Sequence, residues 1–100
     1  MEKYKLLIFP SAKQDLQDII DYVNELSPDG AIKLYDEIVE KIGSLSQMSL
    51  RCPFVKNPLL KVKGYRVLVV NNYLLFFIVR EKTVEIRRII YGRRRYEFLF

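Results

Sequence analysis

The spacing of apolar residues changes from helical to strand-like about half-way along the chain, and this change limits the folds that the sequence can adopt. In the first half, apolar residues recur every three or four positions in two consecutive stretches, which predicts two amphipathic helices. The two stripes are Ala12, Leu16, Ile19, Ile20, Val23 and Leu26, then Ala31, Leu34, Tyr35, Ile38, Ile42 and Leu45. From Lys61 onward the pattern is that of a sheet. Helices followed by a run of strands are typical of an α+β domain.

Short polar segments mark the ends of the predicted helices. Ser11 with Gln14 fits a capping box at the start of the first helix. In the linking segment "SPDG", Ser27 can cap a second helix with Pro28 at its first position, and this helix runs to about Met48. Because the link is so short, the two helices should form an antiparallel hairpin. Residues 49–60, "SLRCPFVKNPLL", carry two prolines and no clear period, which indicates a connecting loop.

Four strands are predicted around this hairpin. The run "KYKLLIF" predicts a first strand over residues 4–9 with both faces mostly covered, and "VKGYRVLVV", "YLLFFIV" and "TVEIRRIIY" predict three more. Asn71-Asn72 and "REK" are suited to tight turns. Because Arg87 and Arg88 are adjacent, one of them must point toward the covered face unless a bulge intervenes. We predict a single two-layer α+β domain over residues 1–100, with the order β-α-α-β-β-β and a three-stranded antiparallel meander at its end.

The residue types that are missing exclude several kinds of chemistry. The 100 residues include no histidine, so a Ser-His-Asp hydrolase is excluded and a zinc site would lack its usual ligands. Cys52 is the single cysteine, which excludes a disulfide framework. Most acids, such as Asp15, Asp18 and Asp21, are expected on the solvent faces of the helices. The apolar runs are too short for a membrane helix or a signal peptide. We therefore expect a cytoplasmic protein without a metal or a cofactor.

Charge is divided unequally between the two halves of the chain. Residues 1–50 hold five lysines and nine acids, a net charge of −4, whereas residues 51–100 hold twelve Lys or Arg and three Glu, a net charge of +9. The basic half interleaves cations with tyrosines: Lys56, Lys61, Lys63, Arg66, Arg87, Arg88, Arg93, Arg94 and Arg95, with Tyr65, Tyr91 and Tyr96. Arginine binds phosphate through paired hydrogen bonds and tyrosine stacks on unpaired bases. This pattern predicts a polyanion-binding face, although basic sheets also bind acidic proteins.

Three segments, in this order, carry a resemblance to a known family. "LKVKGYR", "NNYLLFF" and "VEIRRIIYGRRRY" follow the strand and the helical hairpin, and together they resemble the RelE/ParE superfamily of toxins from bacterial type II toxin–antitoxin systems. The resemblance spans nearly the whole chain. RelE-like members are ribosome-dependent endoribonucleases that cut mRNA, whereas ParE-like members poison DNA gyrase and cleave nothing. Both kinds are neutralised by a cognate antitoxin, which implies a toxin–antitoxin hetero-oligomer.

The resemblance to the RelE-like members implies a set of site residues. The catalytic set would be Lys61, Lys63, Arg66 and Arg94, with Tyr96 as the nearest substitute for the C-terminal tyrosine of family ribonucleases. Phe100 occupies that terminal position and has no hydroxyl. RNA contacts are expected from Arg88, Arg93, Arg95 and Tyr65.

Fixed cations would stabilise the charge that develops when a ribose 2′-OH attacks the adjacent phosphate. Ribosome-dependent mRNA cleavage is therefore the leading prediction, and gyrase inhibition is the alternative. In either case we expect the antitoxin to lay an acidic, amphipathic segment over the basic sheet.

Overall fold

A four-stranded sheet and three helices make up the computed structural model, which describes residues 3–92 and Phe100. The elements are β1 (Lys5–Ile8), α1 (Pro10–Leu26), α2 (Pro28–Met48), α3 (Pro58–Val62), β2 (Tyr65–Val70), β3 (Tyr73–Arg80) and β4 (Thr83–Tyr91), with one 3₁₀ turn at Ser49–Arg51. The strand order is β1-β4-β3-β2; β1 runs parallel to β4, and the other pairs are antiparallel. The predicted two-layer α+β fold and its meander are confirmed.

Both faces of the sheet are covered. Helices α1 and α2 pack on one face, where Ile38 and Leu45 of α2 meet Phe77 and Ile86 of the sheet. The opposite face carries a smaller apolar cluster: Val55, Leu60, Tyr65, Phe76, Ile78 and Ile90, with Phe100 packed against it. This double coverage explains why the sequence of β3 is apolar at nearly every position. No helix in the described part of the chain is long and apolar enough to span a bilayer.

The first strand is exposed, so the prediction that both its faces are covered was wrong. Leu7 is 50% exposed, and β1 lies at the edge of the sheet. Hydrogen bonds hold it in place: the Lys5 amide donates to the Lys82 carbonyl at 2.8 Å and the Phe9 amide donates to that of Ile86 at 2.9 Å. An apolar run favours a strand, but it does not determine whether that strand lies inside a sheet or at its edge.

The two long helices begin in different ways. Ser27 caps α2 as predicted, because its hydroxyl accepts a hydrogen bond from the Gly30 amide at 3.1 Å. The capping box predicted for α1 was wrong: that helix begins at Pro10, and the Ser11 hydroxyl donates to the Arg87 carbonyl at 2.9 Å. Proline is favoured at the first helical position, because its fixed φ suits the helix and its missing N–H would have no partner there. Ser11 is therefore available to contact β4.

A short helix replaces part of the predicted loop and the start of the predicted strand. The Asn57 side chain accepts from the amides of Leu59 at 3.0 Å and Leu60 at 3.2 Å, and Pro58 occupies the first position of α3. Gly64 ends this segment with φ +90°, a backbone conformation that favours glycine. The sheet pattern consequently begins at Tyr65 rather than at Lys61.

The turns of the meander lie where the sequence predicts them, and a bulge accommodates the two adjacent arginines of β4. Asn71 and Glu81 begin the two-residue turns, and both have positive φ, 56° and 54°. On β4, Arg88 pairs with Phe76 and Ile86 with Phe77, so Arg87 is the extra residue of a β-bulge. This bulge explains how two consecutive arginines fit in a strand whose apolar residues are buried on both faces.

Candidate functional site

Arg66 binds the connection that precedes its own strand. Its Nη1 atom donates to the Cys52 carbonyl at 2.7 Å, and its guanidinium carbon lies 4.0 Å from the centre of the Phe54 ring. The backbone reinforces this contact, because the Val55 amide donates to the Tyr65 carbonyl at 2.9 Å. Arg66 therefore holds residues 52–55 against the outer edge of β2.

Cys52, whose carbonyl accepts from Arg66, has a buried side chain. Burial raises the pKa of the Cys52 thiol, and the nearby positive charge of Arg66 lowers it by a smaller amount. The thiol is therefore held in its neutral form, and a thiolate nucleophile is disfavoured at neutral pH.

Tyr65 and Phe100 lie together on the face of the sheet opposite the long helices. Tyr65 is 7% exposed, and its ring centroid is 4.7 Å from that of Phe100. Phe100 also packs edge-to-face on Phe76 at 5.1 Å. In this arrangement Tyr65 offers no open ring face to a base, and Phe100 contributes apolar packing.

Lys61 and Lys63 project from the segment that leads into β2. Both are exposed, as is Lys56. Two apolar side chains between them are also exposed, Leu59 at 66% and Val62 at 85%. Residues 50–63 contain no acid. We call this basic and apolar patch (Lys56, Leu59, Lys61, Val62 and Lys63) the α3 surface.

Arg88 forms a two-pronged ion pair with a helix residue. Its Nε donates to Asp15 Oδ2 at 2.7 Å and its Nη2 donates to Asp15 Oδ1 at 2.8 Å. Asp15 Oδ2 also accepts from the Ile89 amide at 2.9 Å. Since β1 ends before this point, Ser11 and Asp15 of α1 bind the backbone of β4 that β1 leaves uncovered. The carboxylate partner raises the pKa of Arg88.

Arg87, the bulged residue, binds different groups from those that bind Arg88. Its Nη2 donates to Glu85 Oε1 at 2.7 Å, and its guanidinium lies 4.2 Å from the centre of the Phe9 ring. Arg66, Arg87 and Arg88 are thus each engaged with groups of this chain. Of the predicted cations within residues 3–92, Lys56, Lys61 and Lys63 are the ones with exposed side chains.

The remaining predicted residues lie outside the described part of the chain: Arg93, Arg94, Arg95 and Tyr96. Their catalytic and RNA-binding roles stay predictions. Among residues 3–92 and 100, no group of three potential ligands from His, Cys, Asp and Glu could hold a metal ion.

Comparison with known proteins identifies the family of this chain. Residues 6–96 match the model of the ParE toxin of type II toxin–antitoxin systems. The chain belongs to the ParE toxin family. No curated protein matches the sequence.

Two solved structures share the fold. A chain of the chromosomal ParDE system of P. aeruginosa is 26% identical with a TM-score of 0.75, over 89% of this chain and 96% of that one. A chain of the RelBE2 toxin–antitoxin complex of Mycobacterium tuberculosis is 22% identical with a TM-score of 0.65, over 89% and 98%. The second likeness shows the fold alone. Membership of the ParE toxin family confirms the resemblance drawn from "LKVKGYR", "NNYLLFF" and "VEIRRIIYGRRRY".

Sequence reasoning missed the role of Asp15 in this ParE-family chain. Asp15 was expected on a solvent face, but its side chain is 14% exposed and binds both β4 residues that follow the bulge. A signal was present, since Asp15 lies three residues after the fully buried Ala12 and so borders the apolar stripe. The adjacent Arg87 and Arg88 were the second signal. A charged side chain in a strand that is buried on both faces needs a partner, and a carboxylate is the usual one.

Proposed function

We propose that this ParE-family toxin inhibits DNA gyrase without cleaving nucleic acid, and that a cognate antitoxin neutralises it. The observation that carries the proposal is the position of Arg66. A ribonuclease of this fold would need Arg66 to face a phosphate, but its guanidinium binds the Cys52 carbonyl at 2.7 Å and stacks on Phe54. The match of residues 6–96 to the ParE toxin model supports the same reading.

The residues that RNA cleavage would need as general acid and general base are also scarce. Attack by a 2′-OH needs a group that removes its proton, and the sequence has no histidine. Phe100 has no hydroxyl, and its ring packs on Tyr65 and Phe76. Loss of a general acid or base typically lowers the rate by roughly 10² to 10⁴. A gyrase inhibitor needs only a binding surface, and the α3 surface offers exposed cations beside exposed apolar groups.

Ribosome-dependent mRNA cleavage is the second candidate. It is favoured by the exposure of Lys61 and Lys63, two of the cations that the resemblance assigns to the catalytic set. Exposed lysines would lie near a phosphate backbone and stabilise the charge of the transition state. Since Arg66 of that set is engaged with Cys52 and Phe54, Arg94 and Tyr96 would have to supply the remaining contacts.

Two assays with the purified toxin distinguish these functions. We expect the toxin to inhibit supercoiling by purified gyrase and to leave transcripts intact in a purified translation system. Codon-positioned cuts that disappear in Arg94→Ala, with normal supercoiling, would establish the nuclease and overturn the gyrase proposal.

A charge-matched pair of variants tests whether the α3 surface contacts gyrase. Lys61→Ala with Lys63→Ala should weaken gyrase inhibition by about tenfold, because two close charge contacts are lost. Lys33→Ala with Lys41→Ala removes the same charge from exposed positions of α2 and should leave inhibition unchanged. Equal effects of the two pairs would show that net charge, rather than this surface, determines inhibition.

The antitoxin proposal rests on the same surface. The solved relatives are toxin–antitoxin systems, and the α3 surface combines positive charge with exposed Leu59 and Val62. An acidic amphipathic segment would neutralise the charge and bury the apolar groups. We expect the neighbouring gene to encode a small acidic protein, and co-purification of the two products would test the pairing.

A further inference from the structure

Three tyrosines surround a cavity on the side of the molecule where α1 meets the sheet. The cavity has a volume of about 470 Å³ and is lined by Asp18, Ile19, Tyr22, Tyr73 and Tyr91. It is formed by different residues from the α3 surface and is not used by the proposed gyrase or antitoxin contacts. We call it the tyrosine cavity.

The sheet fixes two of the rings relative to each other. Tyr73 of β3 and Tyr91 of β4 are directly opposite partners, and their ring centroids are 5.7 Å apart at 65° between planes. Beside them, the Gly92 amide donates to the Asn72 carbonyl at 2.8 Å, which extends the pairing beyond Tyr91. A paired antiparallel ladder is a rigid support for cross-strand side chains.

Helix α1 supplies the third ring and a carboxylate. Asp18 and Tyr22 are four residues apart, so they lie on the same face of the helix. The Gln14 side chain donates to Asp18 Oδ1 at 2.8 Å and orients the carboxylate. Tyr22 is 64% exposed and Tyr91 is 41% exposed, so both rings can be reached from solvent.

The electrostatics of the cavity favour a cation. Aromatic faces carry partial negative charge, and Asp18 adds a full one. Helix α1 bears four carboxylates and one lysine. Among the described residues, the guanidinium of Arg88 is balanced by its two-pronged pair with Asp15. Burial, followed by the neighbouring hydroxyls of Tyr91 and Tyr22, raises the pKa of Tyr73, so the cavity resists further negative charge.

We propose that the tyrosine cavity binds an arginine side chain from a basic segment of a partner protein. The planar guanidinium would stack on the tyrosine faces while it donates two hydrogen bonds to Asp18. Arginine fits this site better than lysine for two reasons. The two parallel N–H groups of a guanidinium can both donate to one carboxylate, and its flat surface can stack on an aromatic ring. The occupant is opposite in charge to the acidic segment expected at the α3 surface, and the carboxylate that it would meet comes from helix α1.

Two capped peptides that differ in one residue test the proposal directly. One carries arginine and the other carries citrulline, which has nearly the same shape without the charge. We expect the arginine peptide to shift the ring resonances of Tyr22, Tyr73 and Tyr91 in NMR spectra of the full chain, and to bind about tenfold more tightly than the citrulline peptide. Equal binding of the two peptides, or the absence of ring shifts at millimolar peptide, would overturn the proposal. A lysine peptide that binds as tightly would overturn the assignment to arginine.

Substitutions in the cavity distinguish stacking on the tyrosine rings from general effects of changing the surface. Tyr22→Phe keeps an aromatic face and should retain binding, whereas Tyr22→Leu and Asp18→Asn should each weaken it by about three- to tenfold. Tyr35→Leu is the matched control, since Tyr35 is an exposed tyrosine on α2 outside the cavity. The three side chains that these variants change are exposed, so the variants should melt within a few degrees of the parent. Unchanged affinity in Tyr22→Leu would contradict the proposed stacking.

Discussion

At the scale of single residues, Asp15 receives hydrogen bonds from three donors: Arg88 Nε at 2.7 Å, Arg88 Nη2 at 2.8 Å and the Ile89 amide at 2.9 Å. The side chains of Arg88 and Asp15 are 22% and 14% exposed. Asp15→Ala would leave a largely buried guanidinium and a strand amide without this acceptor. We expect it to lower the free energy of unfolding by about 3 kcal/mol, measured by urea denaturation.

The control for this prediction lies on the same helix. Asp21 is exposed and accepts only from Gln17 among the described residues, at 2.8 Å, so Asp21→Ala should change the free energy of unfolding by less than about 0.5 kcal/mol. A double-mutant cycle that combines Asp15→Ala with Arg88→Met should return a large coupling energy. Similar losses in Asp15→Ala and Asp21→Ala would show that the ion pair does not stabilise the fold.

The buried thiol of Cys52 predicts a pH dependence. Burial raises its pKa above the ordinary value of 9.0, so the folded protein retains a proton that the unfolded chain releases. The contribution of Cys52 to stability is therefore fully present below that ordinary value and is lost as the pH rises through the folded pKa. Under reducing conditions, the stability of Cys52→Ala should fall less steeply at alkaline pH than that of the parent. Parallel curves would contradict this.

At the scale of the elements, the two turns of the meander share a backbone conformation but differ in residue type. Asn71 has φ 56° and Glu81 has φ 54°. Asparagine tolerates this left-handed region, whereas glutamate does so at a cost. Glu81→Asn should raise the free energy of unfolding by about 0.5–1 kcal/mol, and the reciprocal change Asn71→Glu should lower it by a similar amount. Thermal melts check both, and shifts of the same sign would refute the argument.

The elements also show what sequence patterns could and could not predict. Period and turn residues are local properties, and they were enough to predict both long helices, the cap at Ser27 and the turn at Asn71. For the adjacent Arg87 and Arg88 the sequence left two alternatives open, an arginine on the covered face or a bulge, and the structure has the bulge. Helix α3 was missed although Asn57, Pro58 and Gly64 mark its ends, because its apolar residues were assigned to a strand. The exposure of β1 depends on strand order, which no local pattern determines.

The candidate site was harder to predict for the same reason. Lys61 and Lys63 were expected to be accessible and are exposed. The carboxylate partner of Arg88 comes from a distant part of the chain, because Asp15 is 73 residues away, and only the fold brings the two together. The partners of Arg66 are closer in sequence, but they lie in a segment with no regular period. Sequence composition counts charges, but it does not show which charges are already paired within the chain.

At the scale of the whole molecule, the acids of the helical layer and the lysines of the α3 surface lie on different surfaces. The acidic half forms the helical layer that borders the tyrosine cavity, whereas Lys56, Lys61 and Lys63 lie exposed on the α3 surface beside Leu59 and Val62. Opposite charges on separate surfaces allow two partners of opposite charge to bind at the same time. The arginine-bearing partner and the acidic antitoxin segment should therefore not compete.

The affinity of the antitoxin for the α3 surface should depend on salt concentration. If an acidic segment covers the α3 surface, its affinity should fall as salt rises, because exposed charge pairs are screened over about 8–10 Å. Lys61→Ala with Lys63→Ala should weaken binding and flatten this salt dependence, as measured by calorimetry at several salt concentrations. Lys33→Ala with Lys41→Ala, equal in charge but on α2, should leave the slope unchanged. An affinity that salt barely alters would mean that apolar burial at Leu59 and Val62, rather than charge, drives the association.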